Sequence, residues 1–320
     1  MNKKKRCILC IGGLCILSIL IYIGVSNYML IKYKKDNIFI IGVSQANLYE
    51  PWRISMHNEL KEAAKNYENI KVIYKDAGGD TDKQKKDMED LINFGADILI
   101  VSINDSNKLK ETVKKANSIK PVIVLDRAVD GYDYTLYIGP DNEDIGRQAG
   151  NLIMELTNGQ EANVIEIQGF LNSNPDEERS KGFKKVVNQN KNINIERTIV
   201  AEWKKDEAYD KVKSIIDENR NINVIFAHSD YMALGAYKAV NEAGLENVKI
   251  IGVDGLSGID GGINMVEKEM IDGTFICPTG GKEAIEYAVR ILNKVTVPKN
   301  IILNCERITK ENIDKYKSKQ

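Results

Sequence analysis

From Asn37 onward the chain alternates short, continuously apolar bursts with longer amphipathic or charged stretches, and it does so in two successive runs. In the first run the bursts are Asn37–Ser44, Lys71–Lys75, Asp97–Ser102 and Pro121–Asp126; helical patterns cover Ile54–Tyr67, Asp80–Phe94 and Leu109–Ser118 between them. The second run has bursts at Asn163–Gln168, Ile195–Ala201, Asn223–Ala227, Lys249–Val253 and Thr274–Cys277. Its helical patterns cover Ile145–Thr157, Glu178–Asn188, Glu207–Asn219, Met232–Ala243 and Gly262–Glu269. A strand without polar alternation is apolar on both faces and belongs in a parallel sheet covered by helices on either side. The expected fold class is therefore α/β, with two doubly wound parallel-sheet lobes. Crossings are expected near Pro140-Asp141, Cys277-Pro278 and Asn304, forming a three-strand hinge that returns Lys282–Val295 to the first lobe. The expected lobes are then 37–140 with 278–304, and 141–277 with 305–320.

Residues 1–36 have a different character. Lys3, Lys4, Lys5 and Arg6 precede an uncharged run from Ile8 to Ile31, and Lys32, Lys34 and Lys35 follow it. About 20 helical residues cross the hydrocarbon of a bilayer, whereas a secretory apolar segment spans roughly 7–15. The expectation is an N-terminal transmembrane helix that stays attached, with a cleaved signal segment as the alternative. The body would lie outside the cytoplasm on a single-pass cell-membrane protein.

The charge balance narrows the function. With the basic leader set apart, residues 36–320 hold 38 Lys/Arg against 46 Asp/Glu, so no basic surface for nucleic acid is expected. Of five cysteines, Cys7, Cys10 and Cys15 lie in the leader, leaving only Cys277 and Cys305. That usage argues against a disulfide framework and against a four-cysteine zinc site. The two histidines, His57 and His228, make no case for a metal. Gly78-Gly79-Asp80 and Asp260-Gly261-Gly262 read as turns and lack the phosphate-cradling spacing, and no nucleophile sits in an elbow motif. No cofactor, metal or catalytic residue is expected, and the chain does not read as an enzyme. Asp126, Asp230, Asp254 and Glu177 could supply two carboxylates around a glycosidic bond, but an Asp/Arg pair suits hydroxyl recognition better.

In doubly wound sheets ligands bind beyond the carboxyl ends of the strands. Both tryptophans, Trp52 and Trp203, fall there, one in each lobe. A sugar ring packs its C–H faces on flat aromatic rings, so two opposed indoles could sandwich one ring; alternatively each caps its own core. Asp126-Arg127 follows the fourth strand directly. A carboxylate accepting from adjacent hydroxyls beside a guanidinium fork would hold a neutral polyol, or the pair would simply form a local ion pair. Asp254 in Ile251-Gly252-Val253-Asp254-Gly255 is the matching acceptor of the second lobe, or a plain turn aspartate. Asp230 is a ligand candidate or a helix cap.

These residues carry a resemblance. The chain resembles the periplasmic sugar-binding proteins of the ribose/galactose/xylose type, whose ligand-binding body is shared with LacI-type repressors. The matching residues are Glu50-Pro51-Trp52-Arg53, Pro121 to Arg127, Ile138 to Asn142, Glu178 to Phe183, Phe226 to Ala236, Ile251 to Gly255 and Pro278 to Ala284. The resemblance implies two lobes closing on a sugar, with ring stacking on Trp52 and Trp203, the acceptor/donor pair on Asp126 and Arg127, and a further acceptor on Asp254. The expected ligand residues are Glu50, Trp52, Arg53, Ser102, Asp126, Arg127, Asn174, Glu177, Trp203, Ser229, Asp254 and Cys277. Arg179, His228 and Asp230 are expected to support them. Ribose-type members carry asparagine where Ser102 and Ser229 stand, arginine near Glu177 and glutamine near Cys277, so the polar shell is written for another sugar. The hydrophobic leader stands where a repressor carries its DNA-binding helices. The whole is most like a membrane-anchored xylose-sensing protein that partners a membrane sensor histidine kinase. The substrate-binding component of a sugar ABC transporter, working with a permease, is the alternative.

Overall fold

A computed structural model describes residues 38–316 apart from 132 and 172, together with 24, 25 and 28. The expected membrane-spanning run, Ile8 to Ile31, lies almost wholly outside the described residues. Among the described residues no helix is long and apolar enough to cross a membrane.

The first sheet begins with β1 (Phe39–Gln45), fully buried from Ile40 onward. It pairs in parallel with β2 (Ile70–Asp76) on one side and β3 (Ile98–Ser102) on the other. Next come β4 (Val122–Leu125), β5 (Leu136–Pro140) and β11 (Asn300–Leu303), giving the order β11-β5-β4-β3-β1-β2. The intervening helices are α1 (Pro51–Ala64), α2 (Thr81–Phe94) and α3 (Ser106–Asn117). Sequence sets their ends. Pro51 occupies the first turn of α1, where its missing N–H costs nothing. The Asp80 carboxylate caps α2 by accepting from the Asp82 and Lys83 amides, and Gly95, at φ 102°, ends that helix.

The second sheet runs β12-β10-β9-β8-β6-β7, from β6 (Ala162–Gln168), β7 (Ile193–Val200), β8 (Val224–Ala227), β9 (Lys249–Ile251), β10 (Gly273–Ile276) and β12 (Glu306–Thr309). Its helices are α4 (Asn142–Leu156), α5 (Asn174–Val187), α6 (Lys205–Glu218), α7 (Asp230–Glu242) and the short α8 (Gly262–Glu267). Helix α9 (Gly281–Leu292) follows β10, yet its Ala284, Ile285 and Ala288 pack with Ile41, Val43 and Leu60 of the first sheet's core. The chain thus passes between sheets after β5, after β10 and after β11.

Three expectations change. The sheets are not wholly parallel, because β12 runs antiparallel to β10 after the last crossing. Helices α1 and α5 begin earlier than their apolar patterns, since Pro51 and Pro175 sit where a helix accepts proline. Finally, Cys277 and Cys305 form a disulfide, although cysteine usage argued against any such framework. The second and third crossings lie side by side, which brings Cα atoms 28 residues apart in sequence to 4.4 Å. That separation is within the range a disulfide spans.

Candidate functional site

A small cavity lies between the lobes at the carboxyl ends of both sheets, lined by Glu50, Pro51, Trp52, Arg53, Asp126 and Arg127 from the first lobe. Pro175, Arg179, Trp203, Ser229, Tyr231 and Asp254 line it from the second. Glu50, Arg53, Asp126, Arg127, Arg179 and Asp254 are each less than a tenth exposed. A small cavity with so many buried polar side chains suits one compact polar molecule.

In the first lobe, Arg53 sits on the opening turn of α1 with 1 % exposure. Its Nη2 donates to Asp126 Oδ2 at 3.2 Å, its Nη1 donates to Ser102 Oγ, and its Nε lies 3.5 Å from Glu50 Oε2. Asn47 Nδ2 donates to the other Glu50 oxygen at 2.6 Å. Asp126 leaves β4 with φ 71°, held by its own amide on the Ile138 carbonyl (2.8 Å) and by Tyr137 Oη on its carbonyl (2.9 Å). Arg127 donates to the Asn104 carbonyl at 2.9 Å and lies 3.7 Å from Glu50 Oε2. Burial, then the neighbouring Arg53 charge, lowers the Arg127 guanidinium to about 10, with Glu50 opposing, so it stays protonated at neutral pH.

In the second lobe, Glu202 and Trp203 are both left-handed, at φ 52° and 60°. A bulky residue there is strained by about 1–3 kcal/mol, and such strain persists where the surroundings fix it. Here the indole lies over Gly169, where any Cβ would collide with the ring. Arg179 lies 5.9 Å from the Trp203 ring centroid and Arg127, reaching over from the first lobe, 6.0 Å. Arg127 also stands 5.9 Å from the ring of Phe170. Arg179 Nε donates to Asn142 Oδ1 at 2.9 Å and its Nη1 to the His228 carbonyl. Ser106 Oγ of α3 donates to Asn174 Oδ1 of α5 at 2.7 Å, a further bond between the lobes. With these contacts made, the two lobes are closed on one another.

Asp254, also at positive φ (124°), is pushed well above the usual carboxylate range by burial and then by the neighbouring Asp230. Asp230 is raised to about 7 by burial, against donation from Thr274 Oγ1 (2.6 Å) and the Gly255 amide (2.7 Å). The lining therefore sets the carboxylates of Glu50 and Asp126, and the carboxyl of Asp254 that burial holds toward its protonated form, beside the guanidiniums of Arg53, Arg127 and Arg179. Such a wall of hydrogen-bond donors and acceptors suits a ligand rich in hydroxyls, each of which both donates and accepts.

The comparisons with known proteins agree with this architecture. The family model described as "Periplasmic binding protein domain" matches residues 41–295. The chain belongs to the periplasmic binding protein family. Among curated members of the family, the ribose import binding protein of Bacillus subtilis is 31% identical over 218 residues, 68% of this chain and 70% of that protein. The Salmonella typhimurium ribose import binding protein is 30% identical over 266 residues, covering 81% and 85%. The fructose-binding periplasmic domain of a hybrid two-component system superposes with a TM-score of 0.84 at 33% identity, over 88% of this chain and 94% of that one. An ABC transporter solute-binding protein of Bacillus halodurans C-125 with bound myo-inositol gives 0.83 at 25%, over 88% and 98%.

Within this periplasmic binding protein, eight of the expected ligand residues meet at the cavity: Glu50, Trp52, Arg53, Asp126, Arg127, Trp203, Ser229 and Asp254. Ser102 instead receives Arg53, and Asn174 receives Ser106. Glu177 is exposed and faces an outer groove with Ser180, Lys181 and Lys184, so it is not placed to touch a ligand. The sulfur of Cys277 is committed to the disulfide, which removes it as a polar contact. Arg179, expected only to support, lines the cavity itself. His228 and Asp230 lie fully buried outside the lining. His228 Nδ1 lies 2.7 Å from Asp176 Oδ1 and its Nε2 3.4 Å from Glu166 Oε1. Ser229, rather than Asp230, caps α7 through the Met232 amide. Sequence reading missed Pro51, Pro175 and Tyr231 as lining residues; they adjoin Glu50, Asn174 and Asp230, so strand-end position could have found all three.

Proposed function

We propose that this protein is an extracytoplasmic monosaccharide receptor, tethered to the membrane by its N-terminal segment, that closes on a neutral five- or six-carbon sugar. The reading rests on one observation: a cavity between the lobes is lined by an indole from each lobe and by the acidic side chains of Glu50, Asp126 and Asp254 beside three guanidiniums. D-xylose heads the candidates through the resemblance to tethered xylose sensors. The relatives' own ligands, ribose, fructose and myo-inositol, are all neutral polyols of this size. The closed form binds the sugar better, so ligand draws the open–closed equilibrium toward it. The closed surface is then read by a membrane sensor histidine kinase, a role supported by the likeness to a hybrid two-component sensor domain.

Delivery to an ABC permease is the second reading, favoured by the ribose import relatives. The binding chemistry is the same in both. Adjacent kinase and response-regulator genes would support sensing, and permease and ATPase genes would support delivery. Sugar binding itself is tested by calorimetry of the full chain in detergent micelles against D-xylose, D-ribose, D-fructose, D-galactose, D-glucose and myo-inositol. Saturable heat with at least one of them is expected. Silence across the panel from folded protein contradicts the reading.

A further inference from the structure

The disulfide lies at the point where lobe motion must be absorbed. Cys277 directly follows β10 at the second crossing, and Cys305 lies between β11 and β12 at the third. Cys277 is buried in the second lobe's core and Cys305 is half-buried at its edge. The bond therefore joins two of the three hinge segments covalently and leaves only the passage from β5 to α4 independent.

The same bond reaches the cavity. The Cys277 amide donates to the Asp254 carbonyl at 3.3 Å, Asp254 bridges to Ile276, and the Asp254 amide donates to the Phe275 carbonyl at 3.1 Å. Gly255 sits so close to Ile276 that any Cβ would strike its backbone. The positive-φ turn that aims the Asp254 carboxylate is thus built directly against the stapled segment.

We propose that the Cys277–Cys305 disulfide is a redox-sensitive hinge staple. It makes the second and third crossings move as one unit, narrows the range of open arrangements, and holds Asp254 in position. A dithiol reductant supplies two electrons and two protons, cleaves the S–S bond into two thiols and is itself oxidised to a disulfide. The freed crossings widen the open ensemble, and ligand affinity falls because closure must then order more of the chain. This inference rests on closure around a sugar as the protein's function, but its first test does not require a ligand.

The test uses the full chain in detergent micelles, oxidised and after treatment with dithiothreitol. Mass mapping of alkylated cysteines should find 277 and 305 protected before reduction and labelled after it. Hydrogen exchange should rise on reduction at residues 253–255, 275–279 and 303–306 together. Affinity for whichever panel sugar binds the oxidised chain should fall about fivefold or more, the lower end of ordinary coupling between sites. Reoxidation should restore both readings, and Cys277→Ser with Cys305→Ser should reproduce the reduced form. Labelling of both cysteines before reduction overturns the proposal, and so does unchanged exchange at the crossings after it. If the double variant does not fold, reversible reduction of the natural chain decides. If no sugar binds even the oxidised chain, the sugar reading fails, while exchange still decides the staple.

Discussion

At the scale of single residues, the site works by holding charge where water cannot reach it. The pair Asp230 and Asp254 shows the consequence. Both carboxyls are raised by burial first, Asp254 further by its neighbour and Asp230 to about 7. A raised folded-state value means that the native form binds more protons than the unfolded one. Their contribution to stability is therefore complete below about pH 4 and is lost as pH rises, for Asp230 through about 7. His228 adds the same sign: burial lowers it, but the carboxylates of Asp176 and Glu166 raise it overall. Urea unfolding without ligand should show stability falling between pH 5 and pH 8, with a shallower fall in Asp230→Asn; parallel profiles would contradict the assignment. Trp52 offers a second test. It packs against the cores of both lobes and lines the cavity. Trp52→Ala should weaken sugar binding by about 1–3 kcal/mol, the scale of aromatic burial, as read by calorimetry. An unchanged affinity would place the ligand away from the indole. The charges and indoles were legible in the sequence because a residue just beyond a buried parallel strand has few places to go. Arg179 lines the cavity and Glu177 faces an outer groove, the reverse of the expected placement, for a local reason. Positions two apart on a helix do not share a face, and α5 begins early enough to include both.

At the scale of elements, precise contact between helices carries the site. Helices α4 and α5 cross so closely that a Cβ on Gly182 would strike the Glu143 carbonyl, and one on Gly146 would strike the Arg179 carbonyl. That approach seats the helix bearing Arg179 against the helix bearing Asn142, its hydrogen-bond partner. Gly182→Ala should cost about 1–3 kcal/mol in chemical denaturation, as overpacking does, and should weaken ligand binding as well. Loss of neither would mean that the helix pair tolerates separation. The strands and most helices were legible from apolar period alone, because that signal is local. The starts of α1 and α5 were not, because proline reads equally as a turn residue and as a first-turn helix residue. β5, β11 and the antiparallel β12 were also missed as strands, being four or five residues each, with β5 and β11 pairing across about 160 residues of sequence. The disulfide was illegible for a related reason: only the side-by-side passage of two crossings makes partners of Cys277 and Cys305.

At the scale of the whole molecule, the two lobes form one binding unit only when closed. Arg127 then reaches the second lobe's Trp203 and Phe170, and Ser106 bonds Asn174. Neither lobe alone assembles the full lining, so a ligand recognised by all of it must bridge the cleft. This division of labour is tested most directly by paired calorimetric titrations of Asp126→Asn, from the first lobe, and Asp254→Asn, from the second, against the sugar that binds the natural chain. Asp126→Asn should weaken binding at least about tenfold, the value of a hydrogen bond to a charged acceptor, and Asp254→Asn about fivefold, the value of one to a neutral carboxyl. If either variant, still folded, bound that sugar as tightly as the natural protein, the ligand would be held without that lobe's carboxylate, and the bridging account would be contradicted.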